Sequence, residues 1–242
     1  MHFDIEKLFD VCPSQMHWIG RLTRMNYEPE MRFLSFLCDR SKVSVDIGAK
    51  VGMYAYRMMK HSLYVHAFEP LPLLAGILRK SLKGNICVHE MALSDRNGSV
   101  DIRVPRNKWS VVKPGRSTIE AENLLAGFPP ENISTIPVKT VTLDEMEISN
   151  IGFIKIDVEG HEASVVGGGI DTIGINKPNM IVEVNEAYKE KAMAAVTELL
   201  YPHGYKCWVV LDGRLTALHE AGANRLEDKE NFIFSTNLCI GG

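Results

Sequence analysis

The chain has no paired cysteine pattern: Cys12, Cys38, Cys87, Cys207 and Cys239 are odd in number, far apart and without a CxxC, which argues against a disulfide framework and a cysteine-built zinc site. A block of Lys and Arg is also missing. With 27 Lys+Arg against 30 Asp+Glu and a net charge of −3, nothing draws the whole molecule to a phosphate backbone, so no nucleic-acid partner is expected. No apolar run is long enough to span a bilayer, and the first residues are broken by Asp4, Glu6, Lys7 and Asp10, unlike a signal peptide. A cytoplasmic protein is the expectation. No two histidines stand at HxxxH spacing, so a dedicated metal site has no support. The 11 Pro and 19 Gly are scattered, with no linker, repeat or low-complexity tract.

What is present is a 242-residue chain, 45% hydrophobic and 24% charged, large enough for one substantial core. From Lys42 onward, short β-branched runs alternate with longer stretches of helical spacing, the pattern of βαβ units on a largely parallel sheet. Seven strands are predicted: Val43–Ile47, Tyr64–Phe68, Ile86–Ala92, Phe153–Asp157, Met180–Val184, Lys206–Leu211 and Phe232–Ser235. Tyr54–His61, Leu73–Leu82, Glu162–Ile173 and Tyr188–Tyr201 are the predicted helices, covering both faces. Residues 1–41 read as a helical flank or lid ahead of a single domain over 42–242. Val100–Val104 and Ile136–Val141 alternate like edge strands or a hairpin, and the polar stretch Asn107–Pro130 between them is where acceptor contacts are expected.

The first strand runs into Asp46-Ile-Gly48-Ala-Lys-Val-Gly52 and then a helix. Nicotinamide and flavin sites want GxGxxG, whose close glycines let backbone N–H groups reach a pyrophosphate. Here Gly48 and Gly52 stand four apart behind an acid, which suits a ligand with no pyrophosphate. S-adenosylmethionine fits that description, its amino-acid end needing backbone donors for the carboxylate and an acid for the ammonium. Two turn glycines beside a strand-terminal Asp form the plainer reading. Glu69 ends the second strand in Phe68-Glu-Pro70, near the offset at which nucleotide folds hold ribose hydroxyls. Ser94 and Asp95 follow the third strand, where the loop borders the adenine; Asp95-Arg-Asn-Gly98 is equally a good turn.

Phe153-Ile-Lys-Ile-Asp157-Val-Glu159-Gly160-His161-Glu162 is the most informative stretch, an apolar strand ending in two acids where open α/β sheets bind ligands. Carboxylates there need partners, such as a sulfonium, an ammonium, Lys155 or an acceptor hydroxyl. Glu183 and Asn185, at the end of the fifth strand, share that rim and are candidate acceptor contacts; solvated rim residues are an equally good reading.

Asp46–Gly52, Phe68-Glu-Pro70, Ala92-Leu-Ser-Asp95, Ser117-Thr118 and above all Lys155-Ile-Asp-Val-Glu-Gly160 together resemble the FkbM family of S-adenosylmethionine-dependent methyltransferases, over about Tyr27 to Ser235. The resemblance implies a Rossmann-like class I methyltransferase fold with a seven-stranded, mostly parallel sheet, and O-methylation of sugars, glycans, polyketides or related hydroxylated metabolites. It places Asp46 and Gly48 at the methionine moiety, Glu69 at the ribose, Ser94 and Asp95 on the adenine side, and Asp157 and Glu159 at the transfer region. Two departures stand out. Lys50 replaces what is more often a polar uncharged residue, and Gly167-Gly168-Gly169 falls inside a helix, each Gly costing about 1 kcal/mol relative to Ala. That helix is expected to start late, break or give way to a loop.

The sulfonium is already an activated methyl donor, so the protein must align acceptor oxygen, methyl and sulfur and remove a proton. Asp157 and Glu159 are the first-choice bases and His161 the second; two such close carboxylates could also take up Mg²⁺. The rival readings are an NAD-dependent oxidoreductase, disfavoured by the missing GxGxxG, and a non-catalytic binding protein that kept the fold.

Overall fold

The computed structural model describes residues 28–105, 117–120, 125, 128–184 and 192–238. Strand β1 (Val43–Ile47) lies at the centre, paired in parallel with β2 (Tyr64–Phe68) on one side and β7 (Ile151–Ile156) on the other. Outward from β2 comes β3 (Ile86–His89), and outward from β7 comes β8 (Asn179–Glu183), both parallel to their neighbours. The far side is antiparallel: β11 (Asn231–Ser235) separates β8 from β9 (Lys206–Leu211), and β10 (Arg214–Ala217) closes the edge. The main sheet therefore has eight strands rather than seven, in the order β10-β9-β11-β8-β7-β1-β2-β3. The extra strand is a hairpin return through Asp212 and Gly213, both at positive φ (49° and 76°), the backbone that a two-residue turn between twisted strands requires.

The predicted third strand also divides. Its first half, β3, stays in the main sheet, whereas β4 (Ala92–Leu93) leaves to join a second sheet with β5 (Gly98–Pro105) and β6 (Ile133–Val141). The alternating segments that read as a hairpin are the antiparallel pair β5 and β6, with Val100 opposite Val138 and Ile102 opposite Ile136. Alternation explains the second sheet's position: Ile102, Val104 and Val138 point inward onto Leu74 and Ile77 of a helix, α3, defined below.

β1 and β7 are buried on both faces, and the alternation of their side chains sorts the core into two layers. Val45, Ile47, Ile154 and Ile156 face one cluster, with Val165 and Val182. Phe153 faces the other, with Tyr54, Ala55 and Met58. A 3₁₀ turn, Pro29–Phe33, and the short helix α1 (Leu34–Leu37) belong to this second layer, burying Met31, Leu34 and Leu37; residues 1–27 of the N-terminal flank lie outside the described residues. The remaining helices are α2 (Met53–Met58), α3 (Pro72–Ser81), α4 (Glu162–Gly167), α5 (Ile170–Asn176) and α6 (Ala192–Leu200). Among the described residues no helix is long and apolar enough to cross a membrane.

The order of strands positions the site. The chain leaves β1 toward β2 and β3, then returns to the opposite flank of β1 as β7, so the helices on either side diverge at the carboxyl ends of β1 and β7. The glycine run breaks the predicted 162–173 helix into α4 and α5. The cause is packing: a Cβ on Gly168 would lie 2.0 Å from Ser94 O, and one on Gly169 would lie 2.9 Å from the Leu143 side chain. Gly167 has nothing within 4 Å of that point. Gly168→Ala should therefore cost about 1–3 kcal/mol of stability through overpacking. Gly167→Ala, on the same helix end, should stay within about 1 kcal/mol of the wild type or gain. Thermal melts of the two variants side by side check this.

Candidate active site

Glycine brings two strand tips together. Gly48 sits at φ 78°, and a Cβ there would fall 1.8 Å from Asp157 O, so the loop after β1 runs flush against the end of β7. Gly52, at φ 82°, is held for another reason: a Cβ would meet Leu78 at 2.6 Å and Leu82 at 2.9 Å, where α2 starts against α3. The loop's own amides are committed inward. Gly48 N and Ala49 N both donate to Phe68 O at 3.0 Å, and Lys50 N donates to Glu69 Oε2 at 2.9 Å.

Glu69, at the tip of β2, is 3% exposed and accepts a second amide, Leu71 N, at 2.9 Å on its other oxygen. Burial pushes its carboxyl up to about 7, against the pull of those two amides and Lys50. Asp46, on the face of β1 that carries no core methyls, is pushed up to about 7 by burial, offset in part by Lys155. Its Oδ2 has no hydrogen-bond partner. A buried acceptor left bare is uncommon in folded proteins and points to something that the site is shaped to receive.

Lys50 joins the acidic tips. Its backbone takes the left-handed conformation, φ 49°, and its Nζ lies 3.1 Å from Asp157 and 3.1 Å from Glu159 Oε1. Burial alone would raise Asp157, but Lys50 and Lys155 beside it hold its carboxyl below the usual range. Burial would likewise lower Lys50, and Asp157, Glu159 and Glu183 reverse that, holding it above its ordinary value. The carboxylate pair that reads in sequence as a possible Mg²⁺ site is thus bridged by an ammonium group.

A second set of charges lies on the Phe153 face of β7. Lys155, 1% exposed, donates to Asn231 Oδ1 at 2.9 Å and to Glu183 Oε2 at 3.3 Å, and its Nζ stands 5.0 Å from the centre of the Tyr54 ring. The Tyr54 hydroxyl donates to Glu28 Oε2 at 2.6 Å. Burial and the charge of Asp157 push Glu183 up to about 7. Glu28, Tyr54 and Asn231 were not legible as site residues, because their roles depend on partners on other elements. Asn185 lies outside the described residues.

His161 is bonded to Ser94 and Glu120 rather than to Asp157 or Glu159. Its Nε2 lies 2.9 Å from Ser94 Oγ and its Nδ1 2.5 Å from Glu120 Oε1, so both ring nitrogens are engaged. Thr118 Oγ1 donates to Glu159 O at 3.0 Å, so residues 117–120 are fastened across the end of β7 at two points. Ser94 is buried on His161, and Asp95 has a half-exposed side chain.

Two chambers result. A slot of about 60 Å³ runs between Glu69, Met91, Leu93 and Thr118, with Glu159 and His161 also on its wall. A larger cavity of about 490 Å³ is lined by Glu28, Asp46, Tyr54, Lys155 and Glu183 among others. Gly48, Lys50 and Asp157 line both, so the chambers meet at the Lys50–Asp157 ion pair. Of the sequence-predicted residues, Asp46, Gly48, Glu69, Asp157, Glu159 and His161 come to these walls; Gly52, Ser94 and Asp95 support the surrounding turns without lining either.

Three likenesses bear on this geometry. The chain is 27% identical over 213 residues to the 31-O-demethyl-FK506 methyltransferase FkbM of Streptomyces tacrolimicus, covering 76% of this chain and 80% of that protein. It is 29% identical over 160 residues to the 2-O-methyltransferase NoeI of Sinorhizobium fredii, covering 59% and 63%. The crystal structure of the methyltransferase FkbM from Methylobacillus flagellatus KT superposes with a TM-score of 0.53 at 16% identity, over 86% of this chain and 50% of that one, which shows the shared fold. The family model for the methyltransferase FkbM domain matches residues 46–207, from the acid that opens the glycine loop to β9. With more than half of its length matched, and with the matched span holding the glycine loop and both acidic strand tips, the chain belongs to the FkbM methyltransferase family.

Proposed function

We propose that the protein transfers the methyl group of S-adenosylmethionine to a hydroxyl of a sugar, glycan or polyketide-like metabolite. The observation that carries the reading is the bare Oδ2 of Asp46, buried at the switch point on the wall of the larger cavity. An α-ammonium group satisfies it, and a buried carboxylate is a strong partner for such a donor. Glu69 already accepts one amide on each oxygen and keeps lone pairs for two ribose hydroxyls, with its carboxyl fixed in place by those amides. The wall from Met91 to Leu93 offers an apolar bed for the adenine, with Asp95 two residues beyond it to accept from the exocyclic amine. At about 60 Å³ the slot is narrow for a nucleoside, so the fastened segment 117–120 has to yield as the ligand enters.

S-adenosylmethionine, when bound, supplies a methyl group already activated on a sulfonium. The protein's share is alignment and proton removal. Asp157, at the junction of the chambers, is placed to take the acceptor's proton, and Glu159 shares its Lys50 partner. Glu183 and Lys155, in the larger cavity, are placed to hold the acceptor hydroxyl. His161, bonded at both nitrogens, fixes the 117–120 segment over the slot. The names of the two relatives, a 31-O-demethyl-FK506 methyltransferase and a 2-O-methyltransferase, support a hydroxyl acceptor.

Calorimetric titration should show binding of S-adenosylhomocysteine and none of NAD; the reverse pattern would remove this reading. Glu69→Ala should weaken S-adenosylhomocysteine binding at least about tenfold, the usual worth of hydrogen bonds to a charged group. Asp157→Asn should fold and bind cofactor but transfer no radiolabelled methyl to any glycan, lipid or small-molecule fraction that the wild type labels. Full transfer at saturating cofactor would take Asp157 out of the mechanism.

Asp46 links affinity to stability with a definite sign. Its folded pKa of about 7 stands above the ordinary 3.8, so between those values the folded chain holds a proton that the unfolded chain has released. Wild-type stability therefore falls, relative to Asp46→Asn, as pH rises through that interval. Melting curves of the cofactor-free proteins should show the gap in favour of the Asn variant widening up to pH 7 and levelling above it. The same variant should bind S-adenosylhomocysteine about tenfold or more weakly. A gap independent of pH would mean that Asp46 titrates normally.

A further inference from the structure

Lys50 is fixed from both ends. A left-handed backbone is uncommon for a residue with a long side chain, and this one persists because Lys50 N is held by Glu69 Oε2 at 2.9 Å and Nζ by Asp157 and Glu159 at 3.1 Å each. The side chain is 30% exposed, so its charge is only partly screened by water. Asp157 and Glu159 hold it above its ordinary pKa, which keeps it protonated at any neutral pH. It is the cation on the wall of both chambers at their junction.

That junction is also where, on the reading of the cofactor proposed above, the sulfur must lie: between a nucleoside on Glu69 and an amino-acid end on Asp46, facing the acceptor cavity. We infer that Lys50 is a charge-specificity residue of the cofactor site, its ammonium ion held between Asp157 and Glu159 so that it offsets the pull of those carboxylates on the sulfonium donor and leaves the uncharged thioether product unaffected. Two like charges a few ångströms apart in a partly buried site repel strongly, while a neutral sulfur meets no such cost. Adenine, ribose and amino-acid contacts are common to the two ligands. They cancel in the ratio of affinities, and the ratio reports the local charge alone.

The test is a titration and needs no acceptor. S-adenosylmethionine and S-adenosylhomocysteine are titrated into the wild type, Lys50→Met, Lys50→Gln and Lys50→Arg. Lys50→Met, which keeps length and removes charge, leaves two acids without their cation; the donor-to-product affinity ratio should rise about tenfold or more. Lys50→Gln should move it the same way, which keeps the question answerable if the Met variant fails to fold. Lys50→Arg should keep the wild-type ratio. A ratio unchanged in both neutral variants while each affinity shifts in parallel, or one that falls in them, would overturn the inference and reduce Lys50 to a structural strut. Binding of neither ligand by the wild type would instead overturn the cofactor reading on which it rests.

Discussion

Carboxylates gathered at neighbouring strand tips repel one another and lose hydration as the sheet closes around them, and the Lys50 ammonium is what lets Asp157 and Glu159 share one crevice with Glu69. It does so through two different groups: the backbone N–H orients Glu69, and the side chain bridges the pair at the end of β7. A single residue in a strained conformation thus sets the spacing between the β2 tip and the β7 tip. The contact of Gly48 with Asp157 O makes this possible, since any side chain there would push the two loops apart and carry Lys50 out of reach.

Two residues before Asp157 on β7, Lys155 solves the same problem. Placed by strand alternation on the Phe153 side, it is buried outright and surrounded by Glu183, Asn231 and the Tyr54 ring. Buried ion pairs of this kind add little to stability, because desolvation offsets most of the attraction. An apolar residue of similar size would pack the layer at lower cost. With Asp46 left short of a partner a few residues away, the second layer reads as a place where folding free energy is given up for binding.

Sequence carried the fold where the signals were local. β1, β2 and β9 have the bounds that their β-branched runs predict, and the acids at the ends of β1, β2 and β7 stand where an open sheet binds ligands. The break inside the 162–173 helix was also visible as three glycines, although their reason, the closeness of Ser94 and Leu143, was not. The eighth strand was missed despite a local sign, the Asp212-Gly213 pair between two apolar runs, because its second run is short and half polar. The site was less legible because its bonds are long in sequence. Lys50 finds Asp157 across 107 residues, and His161 finds Ser94 across 67. Residue type alone marks a histidine as a proton carrier; only packing reveals one whose two nitrogens are both spoken for.

The shared wall has a consequence for how the two chambers communicate. Gly48, Lys50 and Asp157 border both, so a charge that enters one changes the field in the other without any movement of the sheet. A ligand that draws Lys50 away from Asp157 removes the cation that keeps that carboxylate low, and Glu183, already raised by the same neighbour, responds in the opposite chamber. Proton affinity in the larger cavity is therefore set partly by what occupies the slot. Such coupling needs no hinge or lid, only a cation short of full burial and two acids close enough to compete for it.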